Sequence, residues 1–421
     1  MDCVIEGRAL LEKGLVDCCI CIEDGRIIKI SKTAPRAERR FDFSDRLIIP
    51  AGVDLHVHFR DPGMPRKEDF STGSEAAACG GISFVMDMPN TKPATRTAAD
   101  IKEKASLASK KSRVDFGIAA LLEGTTDAKK TSKLALAFKI YLGETTGGLG
   151  IDAGELQDCL SDPGIRRPVF VHAEHLAVLS DAPERSLADH DARRPEEAEF
   201  QAAVLVLDSS PEGRPVHLVH VTQAEILRMA AKRGASAEVT PHHLLLDISS
   251  QLGAWGKMNP PLRSKSTRIK LWQAFASGQA DTIGSDHSPH TVDEKEREFD
   301  AAPSGMPGVE TLMPLMLQKV AERKLDLAIL SKCCSSRPAE IIGINKGRIA
   351  VGMDADLIAV DIKDSRKIRA DGLHSKCGWT PYEGMMGVFP IATFVRGEEI
   401  AREGELSGGR VGRFIAPEGT H

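Results

Sequence analysis

Long apolar runs are missing from this sequence. Residues 1–23 mix acids and glycine among their apolar side chains and never assemble a continuous hydrophobic stretch. Neither a secretory leader nor a spanning helix is expected there, and the chain reads as cytoplasmic. A basic tract is missing too: 60 acidic and 55 basic residues are interspersed, for a formal charge of -5. That leaves no footprint for nucleic acid or an anionic membrane and suits a small, diffusible substrate. There is no internal repeat, no low-complexity linker and no disulfide framework. The nine cysteines are odd in number and irregular in spacing. Cys18 and Cys21 form a CxxC with no second pair in an alternating apolar context, so buried strand thiols are expected rather than a zinc or redox pair.

What is present is a chain of 421 residues, 42% hydrophobic, enough to bury a large core beside a smaller one. Between about residues 50 and 290, short β-branched runs alternate with segments of helical composition. Eight such runs stand at 52–59, 82–89, 115–121, 137–142, 168–173, 216–221, 235–241 and 281–285. Helices are predicted between them at 97–111, 196–208, 223–233 and 267–277, several opened by Ser, Thr or Asp and closed near Gly. Eight strand–helix units over roughly 250 residues predict an α/β fold, the (β/α)₈ TIM barrel, with a doubly wound open sheet as the rival. The flanks differ. Residues 1–50, with a turn-like Asp24-Gly25-Arg26, and 346–361, punctuated by Gly347, Gly352 and Asp354, both read as hairpins. Neither is long enough to be stable alone, so the ends are expected to pair into one composite β-domain. The predicted division is 1–50 and 346–421 for the small domain and 51–345 for the barrel.

Chemistry concentrates at the ends of the runs. His56 and His58 lie two apart at the end of the first, so both imidazoles can face one side of a strand and share a metal; two satisfied core histidines are the plainer alternative. Lys139, His172, His220 and Asp286 belong to runs four, five, six and eight. If the runs close into a barrel, these ends converge on the face where barrel enzymes place their sites. Nitrogen and oxygen donors without thiolate suit Zn²⁺, with Mn²⁺ and Co²⁺ as alternatives. His217, His175, His242 and His243 are expected to pack or to point elsewhere. An ammonium at Lys139 would be costly in an apolar strand. Either its head reaches water, or its amine has added CO₂ to become an N6-carboxylate able to bridge two cations.

Several stretches together resemble the dihydroorotases of the amidohydrolase superfamily. They are His56-Val57-His58-Phe59-Arg60-Asp61-Pro62-Gly63, Met88-Pro89-Asn90-Thr91, Lys139 to Thr145, Lys257-Met258-Asn259-Pro260-Pro261-Leu262-Arg263, Ser285-Asp286-His287-Ser288-Pro289-His290, Gly305 to Glu310, and Thr380-Pro381-Tyr382-Glu383-Gly384. The resemblance implies a metal-dependent barrel with a small β-domain. It also implies two divalent cations: one on His56, His58 and Asp286, the other on His172 and His220, with carboxylated Lys139 between them. Some members bridge with aspartate; the segment from Lys139 to Thr145 looks like the lysine type. The implied activity is reversible cyclisation of N-carbamoyl-L-aspartate to dihydroorotate in pyrimidine biosynthesis. Asp286 would carry the proton, and Arg60 would grip the substrate carboxylate in a fork. By resemblance Asn90 shares that grip, His58 adjoins the substrate, and Asn259 and His290 contact the ring or its carboxylate. Backbone groups near Ser304 and Gly305 complete the pocket, and Thr145 sits at the tip of a closing loop. Alternatives are a dihydropyrimidinase, hydantoinase or allantoinase, disfavoured because a neutral ring gives a buried Arg60 no partner, and a non-catalytic partner of a carbamoyltransferase. A homo-oligomer, or association with aspartate carbamoyltransferase, is left open.

Overall fold

The computed structural model describes residues 1–143 and 148–417. The N-terminal segment forms four strands, β1 (Cys3–Leu11), β2 (Gly14–Glu23), β3 (Arg26–Ser31) and β4 (Arg39–Pro50). The predicted turn is present: Asp24 and Gly25 both have positive φ, 50° and 77°, the two-residue geometry whose twist matches paired strands.

All eight predicted runs then form strands: β5 (Gly52–Val57), β6 (Ile82–Asp87), β7 (Asp115–Leu121), β8 (Ala137–Leu142), β9 (Val169–Ala173), β10 (Val216–Leu218), β11 (Ser236–Val239) and β12 (Thr282–Ile283). They are hydrogen-bonded in sequence order, every neighbouring pair parallel. The last turns back to the first through a parallel bridge between Val57 and His287, where the His58 amide donates to the His287 carbonyl at 2.8 Å. The chain therefore has the near-closed barrel, and the open-sheet alternative falls. Alternation along β8 shows how the barrel is filled. Phe138, Ile140 and Leu142 pack outward into the cluster shared with the helices, and Ala137, Lys139 and Tyr141 take the other face.

The predicted helices are present at Ala98–Ala108, Glu196–Ser209, Ala224–Lys232 and Lys265–Ala276. Thr97 and Asp100 form a reciprocal capping box on the first. The last begins two residues before the expected Thr267 because Ser264, not Thr267, accepts the Thr267 amide as cap.

After the barrel come β13 (Leu357–Val360), β14 (Ser365–Lys367), β15 (Met386–Val388), β16 (Ala392–Val395), β17 (Glu398–Arg402) and β18 (Glu405–Leu406). The two ends of the chain share one eight-stranded sheet in the order β18-β17-β16-β13-β4-β1-β2-β3. One expectation is corrected here. Residues 346–361 form no hairpin; they supply the single strand β13, and the Gly352 amide and Met353 carbonyl pair instead with Ile27. The C-terminal hairpins lie later, at Arg396-Gly397 and Glu403-Gly404, each again with positive φ at both turn residues. The tail then returns to the barrel, where Arg413 and Ile415 bracket Phe116 of β7 with backbone hydrogen bonds. Among the described residues no helix is long and apolar enough to cross a membrane.

Candidate metal centre and active site

His56, Lys139 and His172 lie within barrel strands, whereas three further site residues lie just beyond strands, and the backbone explains why. His220, Asp286 and Arg60 each follow a strand, and each has positive φ: 42°, 44° and 61°. A left-handed residue breaks the ladder and redirects its own side chain, at a cost of about 1–3 kcal/mol that the surroundings must offset. Three such residues around one cavity mark where local backbone preference has been overruled. The cavity, about 480 Å³ including its mouth, is lined by His56, His58, Arg60, Asn90, Lys139, Tyr141, His172, His220, Met258, Asn259, Asp286, Ser288, Ser304 and Gly305.

Its floor is a set of converging donors. One ligand atom each from His56, His58 and Asp286 lie within 4.8 Å of one another. His58 Nε2 is 3.1 Å and His56 Nε2 3.5 Å from Asp286 Oδ1. The far nitrogens are held from behind: His56 Nδ1 is 2.8 Å from Glu238 Oε1, and His58 Nδ1 is 2.6 Å from Asn90 Oδ1. A carboxylate can only accept, so His56 carries its proton on Nδ1 and turns the Nε2 lone pair inward. Burial pushes His58 down to about 4, leaving it one proton at neutral pH. With that proton on the Asn90 side, the His58 Nε2 lone pair faces the Asp286 carboxylate. Two acceptors at 3.1 Å repel unless a cation lies between them.

The second half of the floor repeats the pattern. His172 Nε2 is 2.8 Å from Glu174 Oε2, and its Nδ1 is 2.9 Å from His220 Nε2. Arg194 grips Glu174 through Nε and Nη2 at 3.0 and 2.9 Å. Burial by itself would raise Glu174, but Arg194 and His172 outweigh it and hold the carboxyl well below its ordinary range. Glu238 behaves alike: burial raises it, yet His56 and His217 bring it to about 2. Between the halves stands Lys139, fully buried, its Nζ without a hydrogen-bond partner among the described residues and pushed down to about 7 by burial. Burial would also raise Asp286; positive charge on the His56 and His58 side, whether a proton or a cation in its place, holds its carboxyl below the ordinary range.

On the wall, Arg60 is 4% exposed. Its Nε reaches the Pro289 carbonyl at 3.4 Å and its Nη2 approaches His290 Nε2 at 3.4 Å. Among the described residues no carboxylate lies within ion-pair distance of it. His290 itself does not line the cavity; it stands behind Arg60 with Nε2 3.1 Å from the Ser304 carbonyl. Asn259 Oδ1 accepts from Ser304 Oγ at 3.2 Å and faces His190 Nε2 at 3.0 Å, which leaves its amide N–H₂ to face the cavity. Gly305 has φ 137°, and a Cβ there would sit 2.5 Å from the Ser288 carbonyl, so only glycine fits this part of the wall. Thr145 lies outside the described residues.

Of the histidines expected to pack or to point elsewhere, His217 and His243 are bonded within the core, His175 caps the turn that follows β9, and His242 is buried with neither ring nitrogen bonded among the described residues. His217 bonds Ser236 Oγ at 2.8 Å and stacks on Phe170, and His243 is held by Thr240 and the Pro260 carbonyl. His242 is buried beside it. Sequence reasoning missed Glu174, Glu238 and Tyr141. Two of them carry a readable signal: Glu174 and Tyr141 each follow a site residue by two on an extended chain. The third, Glu238, is an isolated acid inside an apolar strand.

The profile of the Amidohydrolase family matches residues 203–400, and that of the Dihydro-orotase-like family matches residues 45–143. The chain is 41% identical over 389 residues to a dihydroorotase of Halobacterium salinarum, covering 90% of this chain and 92% of that protein. It is 40% identical over 432 residues to one from Methanosarcina mazei, covering 95% and 94%. Among solved structures, an L-hydantoinase (dihydropyrimidinase) from Arthrobacter aurescens superposes with a TM-score of 0.94 at 28% identity, over 99% of this chain and 100% of that one. The parallel barrel and the sheet shared by the two termini are thus those of a known lineage, and the chain belongs to the dihydroorotase family of amidohydrolases.

Proposed function

We propose that this chain is a dihydroorotase, which opens the dihydroorotate ring to N-carbamoyl-L-aspartate and closes it again. The hydantoinase-like neighbours share its barrel, so the fold alone does not choose between neutral and acidic rings. Arg60 carries the choice. It is a permanent cation at the cavity wall, removed from water, with no carboxylate partner among the described residues. Such a charge is costly unless a ligand supplies the anion. A substrate carboxylate fits its fork; dihydrouracil and allantoin offer none.

The donor set fits a pair of divalent cations. His56, His58 and Asp286 would hold one, His172 and His220 the other, and Lys139 as its N6-carboxylate would bridge them. The support for that bridge is the buried, unpartnered amine at about 7, which is substantially neutral at physiological pH and can add CO₂. Imidazole and carboxylate donors without thiolate favour Zn²⁺. Bound cations supply Lewis acidity, lowering the pKa of water and polarising the ring amide carbonyl.

The residues of the chain do the rest. Asp286, an anion held among histidines, takes the proton released as water adds to the ring carbonyl. It hands that proton to the ring nitrogen as the C–N bond breaks; cyclisation runs the same transfers backwards. Arg60 fixes the carboxylate, and the Asn259 N–H₂ offers donors to substrate oxygen. Asn90 serves through His58, whose ring it turns toward the metal site, as Glu238 does for His56 and Glu174 for His172. Spectrophotometric assay with dihydroorotate beside dihydrouracil and allantoin tests the reading. Preference for the acidic ring is expected, and equal or better turnover of a neutral one would overturn it.

A further inference from the structure

The chain has two tyrosines, Tyr141 and Tyr382, and the hydroxyl of each is buried without a hydrogen-bond partner among the described residues. Of the two, Tyr141 lines the active-site cavity, and it is 4% exposed. Its ring is fixed on several sides. On β8 it shares the inward face with Lys139, whose Nζ stands 5.1 Å from the ring centroid. The His172 ring lies 6.3 Å away, centroid to centroid, and the side chains of Ala94 and Leu121 pack with Tyr141 in one apolar cluster. Those apolar side chains offer no acceptor. A buried hydroxyl without a partner is a standing cost to the fold, and this one stands at the wall of a cavity where a ligand oxygen can relieve it.

We propose that the Tyr141 hydroxyl is a catalytic group that donates a hydrogen bond to the oxygen of the amide carbonyl under attack. The proposal rests on the cyclic-amide reading above and adds a residue to it. A phenol carries its proton at neutral pH and can donate. As water adds to the carbonyl carbon, the π pair of the C=O bond moves onto its oxygen, and the bond from the hydroxyl strengthens with that charge. No proton leaves the phenol. When the C–N bond breaks, the pair returns to re-form the carbonyl while Asp286 delivers its proton to the ring nitrogen, so atoms and charge balance without a further reactant. Because the bond gains strength only as charge develops, it lowers the barrier rather than tightening the hold on substrate.

Position selects that oxygen over the substrate carboxylate. Tyr141 adjoins Lys139 and His172, which belong to the cavity floor where the ring carbonyl would be polarised. Arg60 follows β5, three strands away from β8 around the barrel. A ring anchored at Arg60 by its carboxylate therefore turns another edge toward Tyr141.

Tyr141→Phe in the full-length, metal-loaded protein tests this, with Tyr382→Phe as the control for loss of a buried hydroxyl outside the cavity. In Tyr141→Phe, kcat should fall about 10- to 150-fold, the range for a hydrogen bond to a charged group, with KM for dihydroorotate nearly unchanged. Dihydrouracil has the same carbonyl and should lose the same factor, whereas a lost carboxylate contact would spare it. Metal content should match the parent, and the unfolding midpoint should hold or rise, since removing an unpartnered hydroxyl leaves no other group unpaired. Tyr382→Phe should keep the parent kcat. If dihydroorotate is not the substrate, the same loss should be read on whichever cyclic amide the protein opens, so failure of the substrate assignment leaves this test standing. Unchanged kcat in Tyr141→Phe, a loss confined to dihydroorotate, an equal loss in Tyr382→Phe, or a loss that tracks metal content or stability would overturn the proposal.

Discussion

Replacing Arg60 by methionine separates substrate recognition from structure. Methionine keeps a β-carbon and a stem of similar length, so the positive φ of 61° strains both proteins alike and the stability difference from the backbone largely cancels. The guanidinium makes only long contacts, 3.4 Å to the Pro289 carbonyl and 3.4 Å to His290 Nε2, and losing them should leave the fold and the metal content intact. A buried, forked contact to a carboxylate is worth about 2–5 kcal/mol when one side is deleted. That is a loss of roughly thirty- to several-thousand-fold in kcat/KM. Dihydrouracil, the same ring without the carboxylate, should be a poor substrate for the parent and should lose nothing further in the variant. The four values of kcat/KM form a double-mutant cycle between Arg60 and the carboxylate. An equal loss on both rings would make the arginine structural and remove the physical basis for preferring an acidic substrate.

Three other outcomes follow from the site. Lys139→Ala should lose activity and metal together, with partial rescue by short carboxylic acids; in the parent, reconstitution of metal-depleted protein with metal at a fixed concentration of dissolved CO₂ should speed up about tenfold per pH unit below 7 and level off above it, because the reactive amine is the neutral form and its folded pKa lies at about 7. A rise continuing to pH 10 would show an unperturbed lysine. Asp286→Asn should retain most of its metal by elemental analysis yet lose about 10²–10⁴-fold in kcat, since an amide can coordinate but cannot carry the proton; near-normal turnover would place the base elsewhere. Glu238→Gln, which removes the charge behind His56 at 2.8 Å, should weaken metal binding by about 10–100-fold with the fold unchanged by circular dichroism, and undiminished affinity would refute its positioning role.

The sequence by itself determined the barrel and most of the chemistry at its mouth. Strand identity follows from short β-branched runs set between segments of helical composition, and the β8 pattern around Lys139 is legible because a polar side chain stands between the apolar neighbours Phe138 and Ile140, which take the opposite face. The pairs two residues apart, His56 with His58 and Lys139 with Tyr141, are local geometry and can be read in the same way. Sequence also fixed the Asp24-Gly25 turn, and the same signature at Arg396-Gly397 and Glu403-Gly404 was there to be read. Only the tertiary structure decided the groups that act from behind. Glu238 reaches His56 across 182 residues; no window of sequence holds both partners. Nor could local propensity place Arg60, His220 and Asp286 in left-handed backbone, a conformation such residues avoid and hold only because the closed barrel over-determines it. Contacts of that kind depend on closure of the whole chain, which a one-dimensional pattern does not contain.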